Sequence, residues 1–360
     1  MIFEIRLRQH SSFINFQSDQ KGSGLRATDL KPRIDKYLGG TKRYQLTITS
    51  NEYDRREKGN EPYFGDYTLC LYDSIILHFN TYFDEELKNE IQQVLPQVFA
   101  FENFGSASSK GYGCFSPENQ TREEFETLLK GKNKDVYYWD TGNVDDSDIF
   151  FQIKHFYSLL KSGINVNGTY YKSLLMTYFK DKHHDPAVSI RWEKRGIKKK
   201  AALTKNKHST YLDDGIGSIP GKETYCAIKP LFGYSESQEW QSYDLKDHNK
   251  IKVEFPPGDE IERIISPLFF KVFKEENNVR IYYMLKNEEA VVKKILPNKK
   301  ITFHVWAKEH EFFTPNKFDY GRFLNYVREN IPPKNNTQGN LPRRIDNLIG
   351  RLSNGGIKKL

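Results

Sequence analysis

Twelve residues, FGSASSKGYGCF (104–115), set Gly105, Gly111 and Gly113 around Lys110 and Tyr112, between a hydrophobic run and an aromatic one. Glycines let backbone N–H groups come close to an anion and a lysine adds charge, so the pattern suits a phosphate. A mononucleotide cradle of the Walker A type needs Gly, four residues, then Gly-Lys-Ser/Thr opening a helix. Here Lys110 precedes Gly111, and the aromatic residues that follow read as a strand. The stretch therefore fits a nucleic-acid backbone better than a nucleotide. A plain flexible connection is the bland alternative.

A second anion site is expected in GSGLRATDLKPRIDKYL (22–38). A helix start offers free N–H groups and the positive end of the macrodipole. Thr28 is the expected N-cap, Pro32 falls in the first turn, and Gly39-Gly40 stops the helix, giving a helix over 29–38 flanked by Lys21, Arg26 and Lys31. Charge supports a polyanion partner. The net charge is +8, and it is concentrated: residues 191–207 carry eight Lys or Arg against one Glu, and 331–360 carry six against one Asp. Lys194, Arg195, Lys198, Lys199 and Lys200 would add salt-sensitive affinity without sequence preference.

Catalytic residues are weaker candidates. His10, near the end of the first strand, is a candidate general base, and the adjacent His183 and His184 a candidate acid–base or metal pair. Asp140, Asp145, Asp146 and Asp148 offer carboxylates for Mg²⁺, though a solvated linker explains them as well. Cys70, Cys114 and Cys226 lack the paired spacing of a metal site and read as reduced core thiols. The expected cofactor and metal content is none. The N-terminus carries Arg6 and Arg8 where a secretory signal is apolar, and no apolar run is long enough to span a bilayer, so a cytoplasmic protein without a membrane partner is expected.

The elements that must position these residues follow from periodicity. IFEIRLRQ alternates as a strand with Ile2, Ile5 and Leu7 toward one core; 42–50 and 67–79 read as strands and 84–99 as a helix. Strand, helix, strand, strand, helix, strand is the ferredoxin-like order, an antiparallel sheet with helices on one face. Residues 1–117 form that first domain, 118–148 read as an acidic irregular linker, 149–330 as a second α+β domain, and 331–360 as a basic tail. In the second half, 149–163 and 169–182 read as amphipathic helices, several strands follow, and a helix lies near 317–330.

LRATDLKPRIDKYL after an N-terminal strand, together with FGSASSKGYGCF before the last strand of the unit, resembles the RAMP superfamily of CRISPR effector subunits. SGINVNGTYYKSLLMTYF and ERIISPLFFKVF extend the resemblance to the two-domain head subunit of type III, Cmr-type complexes. Pro32 stands where that family has glycine. The resemblance implies an α+β protein of two ferredoxin-like (RRM-like) RAMP domains. It further implies a non-catalytic subunit that binds guide RNA toward its 3′ end, with other RAMP subunits as partners and target RNA as a further candidate. Lys21, Arg26, Thr28, Lys31, Gly105, Lys110, Gly111 and Tyr112 would hold the RNA backbone, with Tyr112 or Phe104 stacking on a splayed base. An endoribonuclease of the same fold is the alternative.

Overall fold

The computed structural model describes residues 1–14, 24–57, 68–166, 169–186, 189–193, 223–235, 237–241, 248–254, 263–264, 266–286, 300–305, 308–331 and 342–360. It is a mixed α+β structure with largely antiparallel sheets, and the chain divides into two compact units.

The first unit opens with β1 (Ile2–Gln9), α1 (Ala27–Tyr37), β2 (Gln45–Glu57), β3 (Thr68–Asn80), α2 (Glu85–Phe101) and β4 (Phe115–Pro117). These strands form one sheet in the order β2-β3-β1-β4 with every pairing antiparallel. In β1 the inward residues are Phe3, Ile5 and Leu7, as the two-residue strand period requires. Ile2, expected with them, has the opposite parity and is 75% exposed. Helix α1 buries Leu30 and Ile34, and α2 buries Leu87, Ile91, Leu95, Val98 and Phe99, all in the same apolar cluster. That spacing of three and four residues is what gives each helix a single apolar stripe.

Residues 118–148 are not an irregular linker. They hold α3 (Arg122–Lys132) and β5 (Tyr137–Asp140). Thr121 and Glu124 close a capping box at the start of α3, and Phe125 and Leu129, one turn apart, are its buried face. The acidic residues of this stretch had masked an apolar pattern only two residues deep. Strand β5 joins a second sheet of the same unit, in the order β14-β15-β5-β18, with β14 (Leu268–Glu275), β15 (Asn278–Leu285) and β18 (Lys358–Lys359). The unit therefore comprises Met1–Lys154, Phe269–Met284 and Gly356–Leu360, a division by pairing that no reading along the chain could follow.

Arg280 ties this sheet to α3. Its Nε and a terminal nitrogen donate to the two oxygens of Asp140 (2.8 and 3.1 Å), another donates to Glu126 (2.6 Å), and the guanidinium lies 4.0 Å from the centroid of the Tyr138 ring. The Tyr282 hydroxyl also donates to Glu126, at 2.8 Å.

The second unit comprises His155–Leu268 and Leu285–Gly355. Its described strands include a sheet ordered β11-β12-β16-β17, with β11 (Ser237–Gln241), β12 (His248–Glu254), β16 (Lys300–Val305) and β17 (Lys308–Phe313). A parallel pair joins β8 (Ser189–Trp192) to β9 (Glu223–Cys226). The expected helix over 169–182 splits: Thr169–Tyr171, β-branched and aromatic, forms strand β7, and a helix begins only at Leu174 behind the Ser173 cap. This helix, α5 (Leu174–Lys180), and a later one, α6 (Tyr320–Glu329), share an aromatic cluster in which Tyr178 meets Phe318, Phe323 and Tyr326 edge-on. The expected basic tail contains α7 (Arg343–Leu352), whose Ile345, Leu348, Ile349 and Leu352 are buried.

Replacing Arg280 by Ala leaves the Glu126 and Asp140 carboxylates without their main donors in a partly buried setting. The expected loss is about 2–4 kcal/mol of stability, read from urea denaturation. Arg280→Lys should recover only part of it, because one ammonium cannot reproduce the fork.

Candidate nucleic-acid interface

The glycine-rich loop is bound to the segment after β1. The Cys114 carbonyl accepts from His10 N (2.8 Å), Ser11 Oγ donates to the Gly111 carbonyl (2.6 Å), Gly113 N donates to the Ser12 carbonyl (2.9 Å), and Ser106 N donates to the Ile14 carbonyl (2.8 Å). The glycines permit these approaches. At Gly113 (φ +64°) a Cβ would lie 2.0 Å from the Phe104 carbonyl oxygen, and at Gly105 (φ +78°) 2.3 Å from that of Ile14. The backbone that comes close to this loop is thus the chain's own.

Asn103, which no sequence signal singled out, anchors the loop's start. Its Nδ2 donates to the Ser108 and Phe270 carbonyls (2.6 and 2.9 Å), and its Oδ1 accepts from Lys271 Nζ (2.7 Å) and Cys114 Sγ (3.2 Å). The buried Lys271 ammonium also donates to the Phe99 and Glu102 carbonyls (2.6 and 3.0 Å), at the negative end of α2. Asp146, at the start of α4 (Asp146–Lys161), accepts from Ser12 N (2.5 Å), from Ser12 Oγ and from Lys274 Nζ.

Tyr112 and Phe104, expected to stack on bases, are buried. Tyr112 lies flat on Phe150, with ring centroids 3.7 Å apart, and Phe104 packs on Phe99 with the Arg33 guanidinium 4.5 Å from its centroid. Gly111 is buried, Gly105 is exposed, and Lys110, expected to meet a phosphate, has its Nζ buried. A residue not foreseen ties the middle of α1 to the segment before the loop: Arg33 donates to the Asn103 carbonyl (2.7 Å) and pairs with Glu102 (3.4 Å).

Helix α1 starts two residues earlier than expected. Its N-cap is Arg26, not Thr28, and no side chain caps it, in contrast to Asp84 on α2, Thr121 on α3, Ser173 on α5 and Asp319 on α6. A cation at the positive end of a helix is unfavourable unless an anion shares the site. Arg26 is exposed and paired at 3.1 Å with Asp29, and Thr28 is exposed beside it. Lys31 points elsewhere: its ammonium bonds Asp35 (3.0 Å) and the Lys42 carbonyl (3.2 Å), and sits 3.8 Å from the Tyr44 ring centroid. Lys21, Lys194, Arg195, Lys198, Lys199 and Lys200 lie outside the described residues. Of the basic run, Arg191 and Glu193 are described and both are buried. Burial raises the Glu193 pKa and lowers that of Lys229, each opposed by the other's charge.

The catalytic candidates sit in structural roles. His10 is buried; its Nδ1 accepts from Lys274 N (2.9 Å), which leaves Nε2 to donate to Ser116 Oγ (2.9 Å), and Ser116 Oγ donates on to the Pro117 carbonyl (3.1 Å). Burial first, then the charges of Lys271, Arg8 and Lys274, hold its pKa well below that of a free histidine. For Asp140, burial works to raise the pKa, but the bonds from Arg280 and Asn278 outweigh it, and the carboxyl stays below the usual range. Asp145 accepts from Asp148 N (2.8 Å). His183 is exposed and the His184 ring packs on Phe179, with centroids 4.7 Å apart. Among the described residues no group of three or more His, Cys, Asp or Glu could hold a metal ion, and the three cysteines are free and buried. No helix among the described residues is long and apolar enough to cross a membrane.

Comparison with known proteins gives the class of this chain. The class is that of type III CRISPR effector subunits. A model of the Cmr1 N-terminal domain matches residues 1–63 and 48–164, and one of the Cmr1 C-terminal domain matches 170–349. The chain belongs to the Cmr1 family. No curated protein sequence matches it. A crystal structure of Cmr1 from Pyrococcus furiosus, in the apo form, is similar over 84% of this chain and 98% of that one, with 11% identity and a TM-score of 0.36.

Because His10 stays neutral in the folded state while its unfolded counterpart takes a proton, stability should be full above pH 6.5 and fall as pH drops below it. The slope contributed by this one group approaches about 1.4 kcal/mol per pH unit. Urea titrations between pH 5 and 7 check this, and His10→Gln should flatten the slope in that window.

Proposed function

We propose that this chain is a non-catalytic, cytoplasmic subunit that binds guide RNA (crRNA) in a type III CRISPR effector complex, toward the RNA's 3′ end. The observation that carries the reading is the start of α1, where exposed Arg26 takes the place that Asp, Thr or Ser fills in α2, α3, α5 and α6. Helix α7, behind Pro342, also lacks a side-chain cap but carries no cation at that position. A phosphate at the α1 start would meet the helix N-terminus and a guanidinium together. The strand order β2-β3-β1-β4, with α1 and α2 on one apolar cluster, supports a ferredoxin-like (RAMP) first unit. A second ferredoxin-like RAMP domain is part of the same proposal. The α1 start would meet the RNA backbone, with exposed Gly105 of the glycine-rich loop contributing. Tyr112 and Phe104 serve the core. The burial of His10, both of whose ring nitrogens are bonded, supports a role without chemistry. Target RNA and other RAMP subunits of the complex are the remaining partners in this reading.

Arg26→Ser should weaken binding of a single-stranded RNA oligonucleotide by about 1–2 kcal/mol. It should leave thermal stability nearly unchanged, since the new cap of about 0.5–1 kcal/mol offsets the lost exposed pair with Asp29. Unchanged affinity in a filter assay would remove α1 from the RNA path. Changing Lys198, Lys199 and Lys200 together to Ala should reduce the slope of log affinity against log salt by about 2, at roughly 0.7 per neutralised charge. Metal-independent cleavage of guide precursor, abolished in His10→Ala, would establish the endoribonuclease instead.

A further inference from the structure

The turn between β3 and α2 carries two aromatic residues in a conformation that neither favours. Tyr82 and Phe83 have φ of +51° and +73°, and their side chains are 50% and 93% exposed. Asp84 N donates to the Thr81 carbonyl at 3.0 Å, closing a four-residue turn whose two central residues are left-handed. Turns with this dihedral signature select Asn-Gly, because glycine and asparagine tolerate positive φ and aromatic residues do not. The turn is fixed from both ends by hydrogen bonds in which neither aromatic ring takes part. Thr81 N donates to the Met1 carbonyl (2.9 Å), Thr81 Oγ1 to the Asp84 carbonyl (2.7 Å), Tyr82 N to Asn80 Oδ1 (3.0 Å), and Leu87 N to Asp84 Oδ1 (2.9 Å). The local fold therefore holds a strained backbone and an almost fully exposed phenyl ring, and gains nothing from either. Exposed Ile2 pairs in register with Asn80, two residues from Tyr82.

We propose that Tyr82 and Phe83 form an anchor that inserts into an apolar pocket with a basic rim on another protein subunit of the effector complex. Charge selects a protein over RNA. Asp84, Glu85 and Glu86 follow the rings directly and are all exposed. The anion capacity of the α2 start is already taken by the Asp84 side chain. The nearby cations are outnumbered: Lys42 pairs with Glu90 at 3.7 Å, and the exposed Arg43, whose guanidinium lies 5.4 Å from the Tyr82 ring centroid, offsets one of the three carboxylates. Lys88, one turn into the helix, stands against those three exposed carboxylates. A phosphodiester chain meets repulsion here, whereas a basic-rimmed pocket meets complementary charge around a ring fit for a binding hot spot. The inference rests on family membership and on this turn, and not on the RNA site at α1.

The test co-expresses the full chain with the other subunits of its complex, purifies through a tag on another subunit, and measures the amount of this chain retained. The double variant Tyr82→Asn, Phe83→Gly and the single Phe83→Asn both suit the turn, so each isolated protein should hold or raise its Tm. Retention in the complex should fall at least tenfold, and affinity for a single-stranded RNA oligonucleotide should change less than twofold. Reversal of charge in Glu85→Lys, Glu86→Lys should also lower retention, most strongly at low salt. Undiminished retention overturns the anchor. A tenfold loss of RNA affinity in the turn variants makes the site a base-stacking platform instead. A lowered Tm makes the rings structural, and a wild-type dimer in sedimentation that the variants dissolve makes the partner a second copy of this chain.

Discussion

A single buried ammonium holds the first unit's loop in place. Lys271 comes from β14, yet its three acceptors lie on the far end of α2 and on Asn103. It neutralises carbonyls that the helix leaves without intrahelical donors and fixes the amide that orients the glycine-rich loop. From there the order extends outward: Asn103 sets the carbonyl of Ser108, Cys114 receives Val272 N at 3.3 Å, and His10 and Asp146 receive the backbone and side chain of Lys274. Every link is buried or nearly so, where an unsatisfied partner is costly.

This network changes how the chain's positive charge reads. A net +8 suggests a broad anionic contact, but many of the described cations work inside the protein. Lys271 is buried, Lys274 meets Asp146, Arg280 grips Asp140 and Glu126, Lys31 meets Asp35, and Arg33 meets Glu102. Arg26 also meets a carboxylate, Asp29, but does so at the surface, at a helix end where its charge opposes the dipole. Net charge ranks a partner class, while placement decides which residues can meet it.

The first sheet was legible because its signals are local: strand alternation, α2's apolar stripe, and turns between them. The cap of α1 was misread because Thr28 satisfies the propensity rule, whereas the helix already begins at Ala27, two residues after the buried Leu25. Tyr112 read as a stacking ring because neighbouring glycines imply exposure; Phe150, 38 positions later, covers it. Asn103, Lys271 and Arg280 carried no local pattern at all. Their roles exist only once β14 and β15 pair beside β5, a contact between segments more than a hundred residues apart. Non-local pairing of this kind leaves no periodic trace in a single sequence.

The interrupted course of the first unit also has a temporal side. During synthesis, His10 leaves the ribosome 264 residues ahead of Lys274, and Asp146 leaves it 128 residues ahead. At roughly 5–20 residues per second that interval is about 6 to 25 s. Throughout it the Phe270, Lys271 and Lys274 partners of His10, Asn103 and Asp146 do not yet exist, and β5 has no neighbour on either side. Most of the intervening stretch, residues 155–268, belongs to the second unit. Translation of one unit thus sets the earliest moment at which the other can close.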